Sequence, residues 1–107
     1  MVVPELDVLQ KYADEVAEKL NVDCQPVLTW LQENDELYEI GTHCHWEDSY
    51  GQKRGTICLD HAEMERDASN RGWQWSIAHE VCHLRERYCH PFSYHFAELM
   101  TQLGFSK

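Results

Sequence analysis

The sequence predicts an α+β fold. A small antiparallel sheet should pack with an N-terminal helix, a helix carrying the stretch His79-Glu80-Val81-Cys82-His83, and a C-terminal helix. Three observations predict it. Apolar residues recur at helical spacing near the start, short extended runs separated by turn residues fill the middle, and two more helical stripes follow Gly72. With 107 residues, 43% of them apolar, the chain can supply one modest core, so residues 1-107 are expected to form a single domain.

From Glu5 to Asn21, residues Leu6, Leu9, Ala13, Val16 and Leu20 share one face, with acids and lysines opposite, which predicts an amphipathic helix. Asp23-Cys24-Gln25-Pro26 breaks it, and Val27 to Leu31 reads as a buried strand. A second extended run covers Leu37 to Trp46. Ser49-Tyr50-Gly51-Gln52 and Gly55 then supply turn chemistry before Thr56 to Asp60, so a hairpin or meander is expected. Ala62 to Asn70 is a polar stretch with few apolar anchors, and no helix is assigned to it. After Gly72, the run Trp73 to Tyr88 carries Trp75, Ala78, Cys82 and Leu84 in a mostly buried helix. Pro91 suits the first position of a last helix, in which Phe92, Phe96, Leu99 and Leu103 share a face and which Gly104 can end.

Nineteen acidic against nine basic residues give a formal charge of -10, which repels nucleic acid and anionic membranes; Lys53-Arg54 is too small a basic patch to reverse this. No nucleic-acid or membrane partner is expected. No run approaches the roughly 20 apolar residues of a membrane span, and MVVPELDVL carries acids where a secretory signal carries bases, so the expected compartment is the cytoplasm. Five cysteines without a CxxC pair fit reduced thiols better than a disulfide framework or a four-cysteine zinc site. Four of the seven histidines fall between His79 and His95, and that crowding requires a cause.

The spacing supplies one. Residues four apart on a helix differ by about 40° around the axis and about 6 Å along it, so His79 and His83 present imidazoles to one point. Two ligands of one Zn2+ are expected, with Glu80 placed one residue on to act as general base toward a metal-bound water. The chemistry implied is hydrolysis of a peptide bond, the partner being a peptide or protein substrate. A catalytic zinc normally takes three protein ligands. His90 is preferred for the third because it sits just before Pro91, where the chain turns back; His95 and Glu98, on the returning helix, come level with the motif and remain alternatives.

His79-Glu80-Val81-Cys82-His83-Leu84 resembles the HELCHL or HELAHL signature of SprT-like and related minimal zincin metallopeptidases. Ile57-Cys58-Leu59-Asp60 is similar to the strand those domains place ahead of the active-site helix, and Phe96 to Gly104 is similar to the helix after their third histidine. The likeness spans roughly residues 40 to 104, and HExxH is its specific part. It implies a zincin-like fold and a zinc-dependent endopeptidase whose third ligand is a histidine at the start of the last helix, the position of His90. In the family that histidine is commonly followed by Gly or Ser and, four residues later, by Phe; here Pro91 follows and Phe96 falls six residues on. SprT-like relatives often use basic or zinc-ribbon modules on protein bound to DNA, and this acidic sequence contains neither, so only the chemistry is carried over.

Other residues have blander readings. His43 and His45 alternate with Cys44 on a strand and could form a second metal pair, but such histidines more often line a half-exposed strand. Trp30, Trp46, Trp73 and Trp75 read as core residues, and Cys82 as core filling. Tyr88 and Tyr94 are candidate oxyanion donors. Glu33, Asp35, Glu36 and Glu39 read as a solubilising face, since no calcium-loop pattern accompanies them. The competing function, from a different class, is a non-catalytic zinc-stabilised interaction or regulatory domain. Substrate is expected along an edge strand near Ile57 to Asp60.

Overall fold

The computed structural model describes residues 3–34, 43–49, 52–85 and 94–105, with side chains described for 3–34, 55–85 and 98–105. Its elements are α1 (Leu6–Lys19), β1 (Gln25–Trp30), β2 (His43–Ser49), β3 (Gln52–Leu59), α2 (His61–Asn70), α3 (Trp73–Arg85) and α4 (Tyr94–Gln102). The α+β class agrees with the sequence reading.

Helix α1 forms where the apolar stripe predicts, burying Leu9, Ala13, Val16 and Ala17. It stops at Asn21, whose φ of 54° is left-handed. The Val22 amide donates to the Ala17 carbonyl and the Asn21 amide to Glu18, so carbonyls that the last turn would otherwise orphan are paired. The chain then enters β1, where Pro26 is tolerated because β1 is the last strand on its side of the described sheet. Gln10 of α1 reaches this strand: its Nε2 donates to the Pro26 carbonyl at 2.8 Å, and the Leu28 amide donates to its Oε1 at 2.9 Å. A side-chain amide thus stands where the backbone of a further strand would stand.

The strand order is β1-β3-β2, and here the structure corrects the expectation of an antiparallel sheet. β2 and β3 form the expected antiparallel hairpin, pairing Trp46 with Gly55 and Ser49 with Gln52. β1, however, runs parallel to β3, with Val27 opposite Thr56 and Trp30 opposite Leu59, so the sheet is mixed. Turn residues at 49–52 dictate only the local hairpin. Where β1 docks is decided by burial, and β3, buried continuously from Gly55 to Leu59 except for half-buried Thr56, takes the centre. The segment near Ile57 to Asp60 is therefore a central strand and offers no edge to a peptide.

A second difference concerns residues 62–70, to which the sequence reading assigns no helix and which lie in α2. Met64 and Ala68, one turn apart, are its only buried residues, too narrow a stripe to announce a helix. The Asp60 carboxylate caps it instead, accepting from the amides of Ala62 at 2.9 Å and Glu63 at 3.2 Å. Gly72, at φ +90°, ends α2 and sends the chain directly into α3.

The core gathers Leu9, Leu20, Ile57, Leu59, Ile77 and Leu84, each at 2% exposure or less, and each such side chain contributes roughly 1.5–3 kcal/mol by leaving water. Trp30, Trp73 and Trp75 are only partly buried against it, so these tryptophans rim the core instead of filling it. Cys24, Cys58 and Cys82 are buried thiols. Among the described residues, no helix is long and apolar enough to cross a membrane.

Candidate metal centre

Helix α3 carries the motif and is enclosed on most sides. Ser76, Ile77, Ala78, Glu80, Val81, Cys82 and Leu84 are all buried, as the nearly uniform apolar run predicts. Two contacts fix its C-terminal half. Cys82 Sγ lies 3.7 Å from Met100 Sδ on α4. At Gly55 of β3, the absent side chain admits Leu84 so closely that a Cβ there would stand 2.4 Å from Leu84 Cδ2. The residue after His83 is thus pinned to the middle strand.

Among the half-buried residues of α3 is the row Trp75, His79 and His83, one residue per turn. His79 Nε2 and His83 Nε2 are 3.2 Å apart, with ring centroids at 4.8 Å and planes 69° from parallel. That separation tests the predicted ligand pair. Nitrogens 3.2 Å apart, each roughly 2.0–2.1 Å from a shared zinc, subtend about 100–105° at the ion, close to the tetrahedral ~109°. The spacing of the two nitrogens is compatible with one shared ion.

Burial pushes the His79 pKa down to about 4, helped by the neighbouring His83 and Arg71 and opposed by Asp67. At neutral pH His79 is therefore an uncharged imidazole, the form that binds metal. Glu80, next along the helix, is only 7% exposed. Glutamate is almost never so enclosed on a merely solvated face.

The other predicted site residues fare differently. His90 lies outside the described residues. His95 stands on α4, where only its backbone is described, and Glu98 of α4 is exposed. Tyr88 lies outside the described residues; for Tyr94, His43 and His45 the backbone alone is described. Among the described residues, no group of three or more His, Cys, Asp and Glu side chains converges as a metal cage. The structure brings His79 and His83 together; of the candidates for a third ligand, Glu98 is exposed, and His90 and the side chain of His95 lie outside what is described.

The structure adds a feature that reading the tryptophans as core residues misses. Asp67, Arg71, Trp75, His79 and His83 follow one another at intervals of four. Arg71 Nη2 is 2.9 Å from Asp67 Oδ1, and Ser76 Oγ donates to Asp67 Oδ2 at 2.5 Å. The Arg71 guanidinium carbon lies 3.6 Å from the Trp75 ring centroid, and that ring lies 4.9 Å from His79 at a 36° tilt. Burial raises the Asp67 pKa, but the Ser76 hydrogen bond and the charges of Arg71 and Arg66 outweigh it and hold the carboxyl below its ordinary value. The repeated spacing itself was the available signal.

No family model, curated protein or solved structure matches this chain. The functional reading therefore rests on the site itself. A separate cleft of about 610 Å³ opens where β1 and β3 end, lined by Leu31, Gln32, Glu33, Asp60, His61 and Glu65 among others. It contains neither histidine of the motif, and two of its acids are engaged locally: Asp60 caps α2, and Glu65 lies 3.3 Å from His61.

Proposed function

We propose that this chain is a zinc-dependent endopeptidase of the minimal zincin kind, working in the cytoplasm on a peptide or protein substrate. The observation that carries the reading is the 3.2 Å separation of the His79 and His83 Nε2 atoms, with His79 uncharged at neutral pH and the next residue along the helix, Glu80, buried to 7% exposure. His79 and His83 would hold the zinc, with a third ligand from His90, or alternatively His95, beyond the described side chains. When bound, zinc would supply a water with its pKa brought to roughly 7 and a Lewis acid for the scissile carbonyl.

The chain's own residues account for the remaining chemistry. Glu80 would take the proton of the attacking water and deliver it to the leaving amine, a role that requires a carboxylate fixed beside the ligands rather than swinging in solvent. Enclosure in α3 supplies that fixity. Trp75, His79 and His83 form a half-buried row on the helix, against which the substrate would lie.

The test is zinc content by mass spectrometry together with cleavage of unfolded casein by wild type and Glu80→Gln. Both proteins should carry zinc near one per chain, and the substitution should lower cleavage by about 10²–10⁴-fold. Equal cleavage by the two would remove Glu80 from the mechanism. Stoichiometric zinc without cleavage in either would replace this reading with a zinc-stabilised interaction domain.

A further inference from the structure

We propose that Trp75 is a positioning residue for His79, held in place by the Asp67–Arg71 ion pair, and that it sets the imidazole's orientation before any metal arrives. The metal side of this inference rests on the function proposed above. A histidine ligand is useful only if its ring plane is fixed, and metal-binding histidines usually gain that fixity from a polar partner. The described geometry adds an aromatic neighbour. The Trp75 ring, one turn before His79, lies 4.9 Å from the His79 ring at 36°, and the His83 ring, one turn after it, stands 4.8 Å from His79. The imidazole is thus bracketed along the helix, and rotation about its side-chain bonds is opposed on both sides.

Trp75 is fixed in turn. Arg71 covers it at 3.6 Å, and the guanidinium is anchored by Asp67, whose other carboxylate oxygen accepts from Ser76 on the first turn of α3. Asp67 belongs to α2, so the clamp crosses the bend at Gly72 and ties the orientation of the α3 strip to the preceding helix. A guanidinium suits this place because it is planar, can stack on the indole and can bond the carboxylate along its edge; a lysine ammonium lacks the plane. An indole suits the next place because its broad face meets both the cation and the imidazole.

The experiment uses the full chain with Trp75→Phe, Trp75→Ala and Arg71→Lys. Zinc affinity is read by chelator competition, and in the metal-free protein the His79 ring protons and their contacts with His83 are read by NMR. Trp75→Ala should weaken zinc by roughly 10–100-fold, the range for loss of a group that orients a ligand, while Trp75→Phe, which keeps an aromatic face, should stay within about threefold of wild type. Arg71→Lys should fall between them. In metal-free wild type the His79 ring protons should be displaced upfield by the indole. Trp75→Ala should abolish that displacement and weaken the His79–His83 contacts, while amide shifts elsewhere in α3 stay in place. Zinc affinity unchanged in Trp75→Ala, or lost equally in Trp75→Phe, would overturn the positioning role, as would His79–His83 contacts indifferent to all three substitutions. Should wild type bind no zinc while the NMR differences appear, the metal reading fails and the positioning of His79 by Trp75 stands.

Discussion

Replacing Gly55 by alanine tests how the motif helix is seated on the sheet. A Cβ at this position would lie 2.4 Å from Leu84 Cδ2, 2.9 Å from Cδ1 and 3.1 Å from Cγ, about 1 Å inside ordinary contact for the nearest atom. Leu84 is wholly buried, so its methyls have no solvent to swing into, and the strain should cost about 1–3 kcal/mol. A chain of this size loses about 4–8 °C of melting temperature per kcal/mol, which places the expected drop at about 4–24 °C. Leu84→Ala alone should cost about 2–5 kcal/mol by leaving a cavity. In the Leu84→Ala background, however, the new methyl meets space, and alanine restricts the unfolded chain more than glycine does. There Gly55→Ala should become neutral or stabilising by about 0.4–1 kcal/mol. Urea unfolding of the four proteins gives the cycle. Costs that simply add, to within about 0.5 kcal/mol, would refute the claim that β3 and α3 touch through this pair.

Further expectations follow from individual bonds. Gln10→Leu strips partners from the Pro26 carbonyl and the Leu28 amide and should cost about 1–3 kcal/mol in urea unfolding, with faster hydrogen exchange at Leu28. Asp60→Ala removes the cap of α2 and should cost about 1 kcal/mol, most of it restored by Asp60→Asn. Asp67 titrates below its ordinary 3.8 in the folded chain, so its contribution is complete above that value and is lost as pH falls through the lower, folded one. Asp67→Asn should therefore flatten the acid limb of the stability profile, and an unchanged limb would show that the Ser76 and Arg71 contacts carry no linkage.

How much was legible in the sequence varied with the physics of each element. α1 and α3 could be read because their faces are decided by residues three and four apart, and the β2–β3 hairpin because its turn residues are local. The parallel seat of β1 could not be read, since no short-range chemistry states which side of β3 it occupies. α2 was hidden by its polarity, although Asp60 with Glu63 three residues later is the spacing of a helix start. At the site, HExxH spacing alone foretold that His79 and His83 would meet. The clamp through Asp67, Arg71 and Trp75 was harder, because it spans the break at Gly72 and because tryptophan in a small domain reads first as core.

The strand order has a consequence for synthesis. Every pairing in the described sheet runs through β3, the last of its strands to leave the ribosome. Until β3 has emerged, β1 has no ladder partner among the described residues and packs against α1, so a nascent chain shorter than this should display helix without the described sheet. Stalled chains of increasing length would then acquire protease resistance in one step, when the central strand becomes available to both neighbours, rather than strand by strand.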